Sequence, residues 1–460
     1  MALAGLAGAL CGAQSAAAFP TTSYVLVGEN GRRVARLVTA EPHCPDMLLD
    51  GRRAAMAARA EPRVVAQRPT ISEPLDSKPS AFDGLVCEAL IPPDVRTASV
   101  AGRNLPLPPA TIRRIVVIGD TGCRLKIIDK AFQDCNDSNA YPFAQVAAAA
   151  AAWKPDLVVH VGDFLYRENA CPEGHPGCAG SVWGYGADSW RADFFAPAEP
   201  LLTTAPLALA RGNHESCERG GQGWWRYLDP HALAAGRDCD DPAYDTIGDF
   251  TEPYAVPLGS NAQLIFFDSS ATPGKALAAD DIRAARYREA YARIEHLATA
   301  VPHSILVNHH PMLAFAAKEH ESGRIGISPG NAGLQSVFGT FSARMAPPGV
   351  DLLLSGHVHL WEAVGFASDH PGQIVAGFSG TQEDVVPLPA TLPPDAAPAP
   401  GAEVKSFSSW LYGFGFLTLE RSGDDRWQMQ VHDRAGKVVD TCRIAGKDIS
   451  CDIAQVAQGR

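Results

Sequence analysis

From Arg113 onward the chain carries short, largely apolar runs, each stopped by glycine or a polar cluster. They are Ile115–Ile118, Leu157–Val161, Leu207–Ala210, Leu264–Phe267, Ser304–Val307, Leu352–Leu354 and Ile374–Ala376. Runs of this length without polar alternation predict strands covered on both faces, as in parallel sheets. Between the first two runs, the Ala-rich stretch Phe143–Trp153 predicts a helix, which makes a βαβ unit. A second helix is expected from a cap at Asp280 or Asp281 to about Leu297, with carboxylates at its start as the helix dipole prefers. Gly413–Glu420 and Trp427–His432, joined by Ser422-Gly423-Asp424-Asp425, predict a closing hairpin. Residues 387–403 are rich in Pro and Ala and predict a long mobile loop.

Before this region the pattern differs. Short β-like runs (Ser23–Val27, Ala35–Thr39, Ala98–Val100) alternate with Gly, Pro and Arg turns. Leu105-Pro106-Leu107-Pro108-Pro109 predicts a stiff linker. The chain has 460 residues, more than one compact core needs. The expected organisation is therefore a leader over 1–18, a small β-rich N-terminal domain over 19–110 and an α/β domain over 111–460.

Charge and cysteine content narrow the setting. A formal net charge of −12 argues against a nucleic-acid partner, whose binding surface is basic. It leaves room for a small phosphorylated substrate, because a bound metal can reverse the local sign. Residues 1–18 are small and apolar and end in Ala16-Ala17-Ala18, like a secretory h-region and cleavage site, although the basic n-region is missing. The alternative is a disordered Ala-rich tail. A lipoprotein anchor at Cys11 is disfavoured because the bulky Leu10 precedes it. No other stretch is long and apolar enough to span a bilayer. Of 11 cysteines, only Cys11 lies in the leader. The rest fall into neighbouring couples, such as Cys171 with Cys178, Cys442 with Cys451 and Cys44 with Cys87. No CxxC pair occurs, so disulfides are a simpler account than a zinc-thiolate site. A secreted or periplasmic location follows.

The chemistry gathers where the apolar runs end. Open α/β sheets place ligands at the carboxyl ends of their strands. Here those ends carry Gly119-Asp120-Thr121-Gly122, Gly162-Asp163 followed by Tyr166, Gly212-Asn213-His214-Glu215, Asn308-His309-His310-Pro311 and Gly356-His357-Val358-His359. Each alone reads as a turn or a packed histidine. Together they supply the oxygen and nitrogen donors that a two-metal hydrolytic site needs, including a carboxylate to bridge the cations.

These five blocks resemble those of the calcineurin-like metallophosphoesterases, and more narrowly the purple acid phosphatases, over roughly residues 113–380. That family's blocks are DxG, GDxxY, GNH[ED], VxxH and GHxH. The broader superfamily has His at the third position of the first block, where this chain has Gly122, and Tyr166 stands in the second block instead. The resemblance implies a four-layer metallophosphoesterase β-sandwich flanked by helices. It also implies two metal ions, Fe(III) with a divalent Fe, Zn or Mn, and hydrolysis of phosphate monoesters with water activated by the cations. Carried over by residue, Asp163 is the bridging ligand. Asp120, Tyr166 and His359 serve the iron. Asn213, His309 and His357 serve the divalent ion. Counting from Val307 would select His310 instead, but spacing to Pro311 selects His309. His214 contacts the phosphate and assists the leaving group, and Asn213 and His310 are further candidate substrate contacts, His310 equally readable as packing. The family often continues its last block with Tyr-Glu-Arg, whereas this chain has Leu360-Trp361-Glu362, so the pocket differs.

Weaker candidates are His175 and His320, both more readily solvated loop residues, and Trp183, Trp190, Trp224 and Trp225, more readily core than pocket wall. A phosphodiester, nucleotide or sphingolipid head group is the alternative substrate for the same site. A non-catalytic envelope protein that binds phosphate is a third reading, weakened by the complete ligand set.

Overall fold

The computed structural model describes residues 20–69, 77–319, 322–389 and 392–452. The leader, with Cys11, and His320 lie outside them.

Two mixed sheets stack face to face. The first has eleven strands. Arg114–Ile118 lies at its centre, parallel to Leu157–His160 and antiparallel to Gly415–Arg421. Leu207–Leu209 continues the sheet in parallel beyond Leu157–His160. The second sheet has seven strands, in spatial order Tyr254–Pro257, Ala262–Phe266, His303–Val307, Val350–Ser355, Gly372–Ala376, Trp361–Phe366 and Val404–Trp410.

The apolar runs are explained by what each face meets. Ile115, Val117, Leu157, Val159 and Val161 face the second sheet and pack on Leu264, Val307, Leu354 and Ala376. Val116, Ile118 and Val158 point the other way, onto Val146, Ala147 and Ala150 of the helix Phe143–Ala152. Beyond the second sheet, Ile265, Leu306 and Leu353 pack on Tyr287, Tyr291 and Ile294 of the helix Ile282–Ala298 and on Leu334 of the helix Ala332–Phe338. The result is a four-layer helix–sheet–sheet–helix sandwich. Each buried Val, Ile or Leu in these seams stabilises it by roughly 1.5–3 kcal/mol. Of the two possible caps, Asp281 starts the second helix, its side chain accepting the Arg283 N–H.

The C-terminal hairpin forms but does not close the fold. Gly415–Arg421 and Arg426–Asp433 are followed by Val438–Ala445 and Asp448–Cys451, which extend the same sheet. Residues 387–403 hold no helix or strand among those described, yet Leu388, Ala399 and Ala402 are buried in the core between the second sheet and its helices.

The N-terminal β-rich region is joined to this sandwich by hydrogen bonds. Thr22–Val27 pairs in parallel with Leu207–Leu209, Leu26 opposite Leu207. Arg33–Thr39, Leu85–Ile91 and Ala57–Ala60 then carry the large sheet to its edge. A fourth core, built on Val25, Ala35, Leu37 and Met47, separates these strands from a small sheet of Asp46–Leu49, Arg52–Ala55, Ala98–Val100 and Arg103–Leu105. Two buried guanidinium groups tie the regions together. Arg36 donates to the carbonyls of Arg226, Tyr227 and Asp229, and Arg59 to those of Trp225 and His231. Both also reach Glu88.

Ten cysteines pair as sequence neighbours: Cys44–Cys87, Cys123–Cys135, Cys171–Cys178, Cys217–Cys239 and Cys442–Cys451. Five disulfides point to an oxidising compartment. Among the described residues no helix is long and apolar enough to cross a membrane.

Candidate metal centre

The five strand-end blocks meet at one edge of the sandwich. The loops after Arg114–Ile118 and Leu157–His160 stay in register past their strands: the Asp120 N–H donates to the Gly162 carbonyl and the Thr121 N–H to that of Asp163, both at 3.0 Å. Asp120, Asp163 and His357 all adopt left-handed backbone, with φ of 54°, 59° and 70°. Each costs of order 1 kcal/mol or more for a residue with a side chain, and such strain concentrates where side chains must be aimed.

Four donor atoms converge in one cluster. The Tyr166 hydroxyl lies 2.9 Å from Asp120 Oδ1, 2.9 Å from Asp163 Oδ2 and 3.0 Å from His359 Nε2. His359 Nδ1 donates to the Gln382 carbonyl at 2.9 Å, which turns Nε2 inward. Beside this lies a second cluster, in which one donor atom each of Asp163, His309 and His357 sit within 4.8 Å of one another. His309 Nδ1 donates to the Val161 carbonyl at 2.9 Å. Its Nε2 is 3.0 Å from Asp163 Oδ2 but off the direction of a hydrogen bond, and it has no such partner. His357 Nδ1 is 3.1 Å from Asn213 Oδ1. Asp163 belongs to both clusters.

This arrangement fits cations. Two carboxylate oxygens and an imidazole nitrogen crowd the Tyr166 hydroxyl, which has one proton to give. Burial, then the Asp120 and Asp163 carboxylates, push the Tyr166 phenol well above its usual range. Burial disfavours charge on His309 and His359, yet carboxylates outweigh it and push both up to about 9: Asp163 then Asp120 for His309, Asp384 then Asp120 for His359. The carboxylates thus draw positive charge onto the imidazoles, the demand a metal ion would meet. Burial, then His309, lowers His357 to about 4 and keeps it a neutral donor. The first cluster is hard and oxygen-rich, and the second carries two imidazoles suited to a borderline divalent ion.

Position 122 explains the phenol. A Cβ on Gly122 would stand 2.7 Å from both Asp193 Oδ2 and the Tyr166 backbone nitrogen, and 2.8 Å from the Phe164 carbonyl. No side chain fits there, so the histidine of the broader superfamily has no place. Gly212 is equally constrained, since its Cβ would come 2.1 Å from Asp163 Oδ1.

His214 lies over the Tyr166 ring, centroids 3.7 Å apart. Its Nδ1 donates to the Leu165 carbonyl at 2.9 Å. The Arg219 guanidinium rests against the ring, 2.5 Å from Nε2, and is paired with the buried Glu168. Burial, then Arg219, holds the imidazolium well below its usual range, so the neutral ring is favoured. His310 is packed on His357, centroids 4.2 Å apart, and its Nδ1 is 3.3 Å from Ser269 Oγ. The remaining candidates sit elsewhere. His175 is at the surface with Asp134, Trp183 lies under Lys78, and Trp190, Trp224 and Trp225 are core.

Buried residues that frame the site were not marked for it by the sequence: Ser269 lies outside the blocks, and Asn308 stands in one without a role assigned. Ser269 Oγ accepts the N–H groups of His309 and His310. Asn308 links Ser355 to the His310 carbonyl. Glu215 is visible in its block, but nothing there shows that its carboxylate turns inward.

Fold and site together define a metal-dependent phosphoesterase. The calcineurin-like phosphoesterase family model matches residues 113–360, more than half of the chain, and the chain belongs to that family, whose members typically hold a pair of metal ions. Its fold is similar to that of the purple acid phosphatase PPD1 from yellow lupin (Lupinus luteus) seeds, at 15% identity and a TM-score of 0.56, covering 95% of this chain and 77% of that one. It is also similar to PhoD, at 10% identity and a TM-score of 0.52, covering 97% of this chain and 95% of that one. No curated protein matches by sequence.

Proposed function

We propose that this chain is a secreted or periplasmic hydrolase of phosphate monoesters with a binuclear site of the purple acid phosphatase type. The observation that carries the reading is the Tyr166 hydroxyl held against Asp120, Asp163 and His359 beside a position 122 that admits no side chain.

Asp163 would bridge the two cations. Asp120, Tyr166 and His359 would hold Fe(III), and Asn213, His309 and His357 a divalent Fe, Zn or Mn. When bound, the pair supplies charge that activates water and offsets that of the phosphoryl group. The chain's own residues do the rest. Asn213 and His310 both adjoin His357 and would meet phosphate oxygens there. His214 Nδ1 is committed to the Leu165 carbonyl and the Arg219 guanidinium stands 2.5 Å from Nε2, so a substrate oxygen would meet Nε2 beside that guanidinium. Burial and Arg219 disfavour the imidazolium, so His214 would act only once the charge of a bound substrate offsets them and Nε2 takes up a proton from solvent, which it then gives to the leaving alcohol.

The test is elemental analysis of the purified protein joined to a panel of phosphate monoesters, phosphodiesters, nucleotides and sphingolipid head groups. Two metal equivalents including iron, with monoesters cleaved fastest below neutral pH, support the reading. Preference for a diester moves the same site to phosphodiesterase chemistry. A metal-free, inactive protein that binds phosphate would make it a binding protein.

A further inference from the structure

The helix Ala187–Trp190 widens into a single π turn over Arg191–Phe195, closed by the Ala196 N–H on the Arg191 carbonyl at 2.9 Å. Such turns are frequent at functional sites, where they re-aim side chains. This one carries Asp193, which is fully buried. Its Oδ1 accepts the Cys123 N–H at 3.0 Å and the Arg167 Nε–H at 2.6 Å. Its Oδ2 accepts the N–H of Tyr166 at 2.8 Å and that of Arg167 at 3.2 Å. One carboxylate therefore grips the first block just past Gly122 and the second block at Tyr166. The same Oδ2 stands where a side chain on residue 122 would begin.

From this geometry we infer that Asp193 is a positioning residue which clamps the first two metal-binding loops together and sets the Tyr166 hydroxyl between Asp120 and Asp163. The inference rests on the metal assignment proposed above. Asp193, together with the Tyr166 nitrogen and the Phe164 carbonyl, closes position 122 to a side chain, and it supplies the acceptor that the Tyr166 backbone needs. The two departures from the broader superfamily, Gly122 and Tyr166, are then one linked change with Asp193 as its third member. No motif marks it, because it lies on another element, 27 residues from Tyr166. The ordinary alternative is a structural ion pair with Arg167, whose side chain is 7% exposed.

The experiment separates the two. Metal release to a chelator is followed in the wild type, Asp193→Asn, Tyr166→Phe, the double variant and Arg167→Met, with thermal melts of each. Asp193→Asn keeps the size but turns an amide N–H₂ toward backbone donors. It should speed metal release about 10–100-fold, the range typical of residues that support a ligand. Tyr166→Phe should do the same, and the double variant should be no worse than Tyr166→Phe alone. Arg167→Met disturbs the ion pair but leaves the clamp, so it should melt earlier and release metal as the wild type does. Equal effects of Asp193→Asn with and without Tyr166, or an Arg167→Met variant that matches Asp193→Asn, would overturn the inference. If Asp193→Asn does not fold, Gly122→Ala pushes Asp193 and the Tyr166 backbone apart and should speed release likewise; wild-type release there would overturn it. Visible colour in the wild type reports separately on the iron reading: a colourless zinc protein sinks that reading while the release cycle still decides Asp193.

Discussion

The Glu215 carboxylate accepts the backbone N–H of Asp163 at 3.0 Å, and Asp163 Oδ1 accepts the N–H of His214 at 2.8 Å. The second and third blocks thus brace each other. Glu215 also takes the N–H groups of Gly212, Phe164 and Leu165. Burial, then Asp163, pushes this acid up to about 8, while those four donors pull toward the ionised form. Glu215→Gln turns an amide N–H₂ against two backbone donors, an unpaired buried group costing about 1–3 kcal/mol. The variant should hold metal about tenfold more weakly or worse in chelator competition. Wild-type retention would show that the brace does not govern Asp163.

Tyr166→Phe removes the oxygen shared by three neighbours. A tyrosinate on trivalent iron absorbs visible light by charge transfer, so the oxidised wild type should be coloured and the variant should lose or strongly shift the band. A trivalent cation acidifies water more than a divalent one. The wild-type optimum should therefore lie below neutral pH, and the variant's should rise. Unchanged colour, iron content and pH profile would reduce Tyr166 to packing.

For His214→Ala we expect both metals to remain and turnover to fall on the order of 10²-fold or more, as loss of a proton donor typically gives. Elemental analysis beside steady-state rates reads the outcome. Loss of metal would make His214 a ligand.

Glu362 is buried in the second sheet, its carboxylate accepting the Phe315 N–H. Burial pushes it well above its usual range, opposed by that N–H. A raised folded value means its contribution is full below the unfolded value, near 4.5, and is lost as pH rises toward the folded one. Stability should fall by about 1.4 kcal/mol per pH unit across that window. Glu362→Gln should be close to wild type in urea unfolding near pH 4.5 and more stable at pH 8. The same pH slope in both proteins would locate the loss elsewhere.

Arg36→Met takes the buried donor from the Arg226 and Asp229 carbonyls and leaves Glu88 to Arg59 alone. Breaking a buried pair from one side costs about 3–5 kcal/mol. Because the N-terminal strands share the large sheet, unfolding should stay a single transition at lower denaturant. A separate early transition would mean that the two regions melt independently.

The layered fold was legible because strands buried on both faces leave continuous apolar runs, and Leu157–Val161 and Ile115–Ile118 are covered by a sheet on one side and a helix on the other. The five strand-end blocks were legible because each ends such a run. What joins distant segments was not. Thr22–Val27 read as part of a separate β-rich unit, since nothing in Leu26 announces Leu207 as its neighbour. Asp193 is one acid in an amphipathic turn until its loop partners are known. His309 and His310 are adjacent and identical in type; spacing to Pro311 favoured His309, and the direction of each ring shows which lies beside Asp163 and which on Ser269.

The parallel pairing of Leu26 with Leu207 also sets a clock on biosynthesis. About 180 residues separate them, which at roughly 5–20 residues per second takes on the order of ten to forty seconds to make. During that interval the hairpin Thr22–Val27 and Arg33–Thr39 exists without its permanent neighbour. Tyr24, Leu26, Val34 and Val38 cover one of its faces and Val25, Ala35 and Leu37 the other, so it is apolar on both sides with an open edge. Unshielded edges of this kind recruit other chains. The yield of this protein should therefore depend on what shelters its first hairpin until the strand leading to Asn213 has been made.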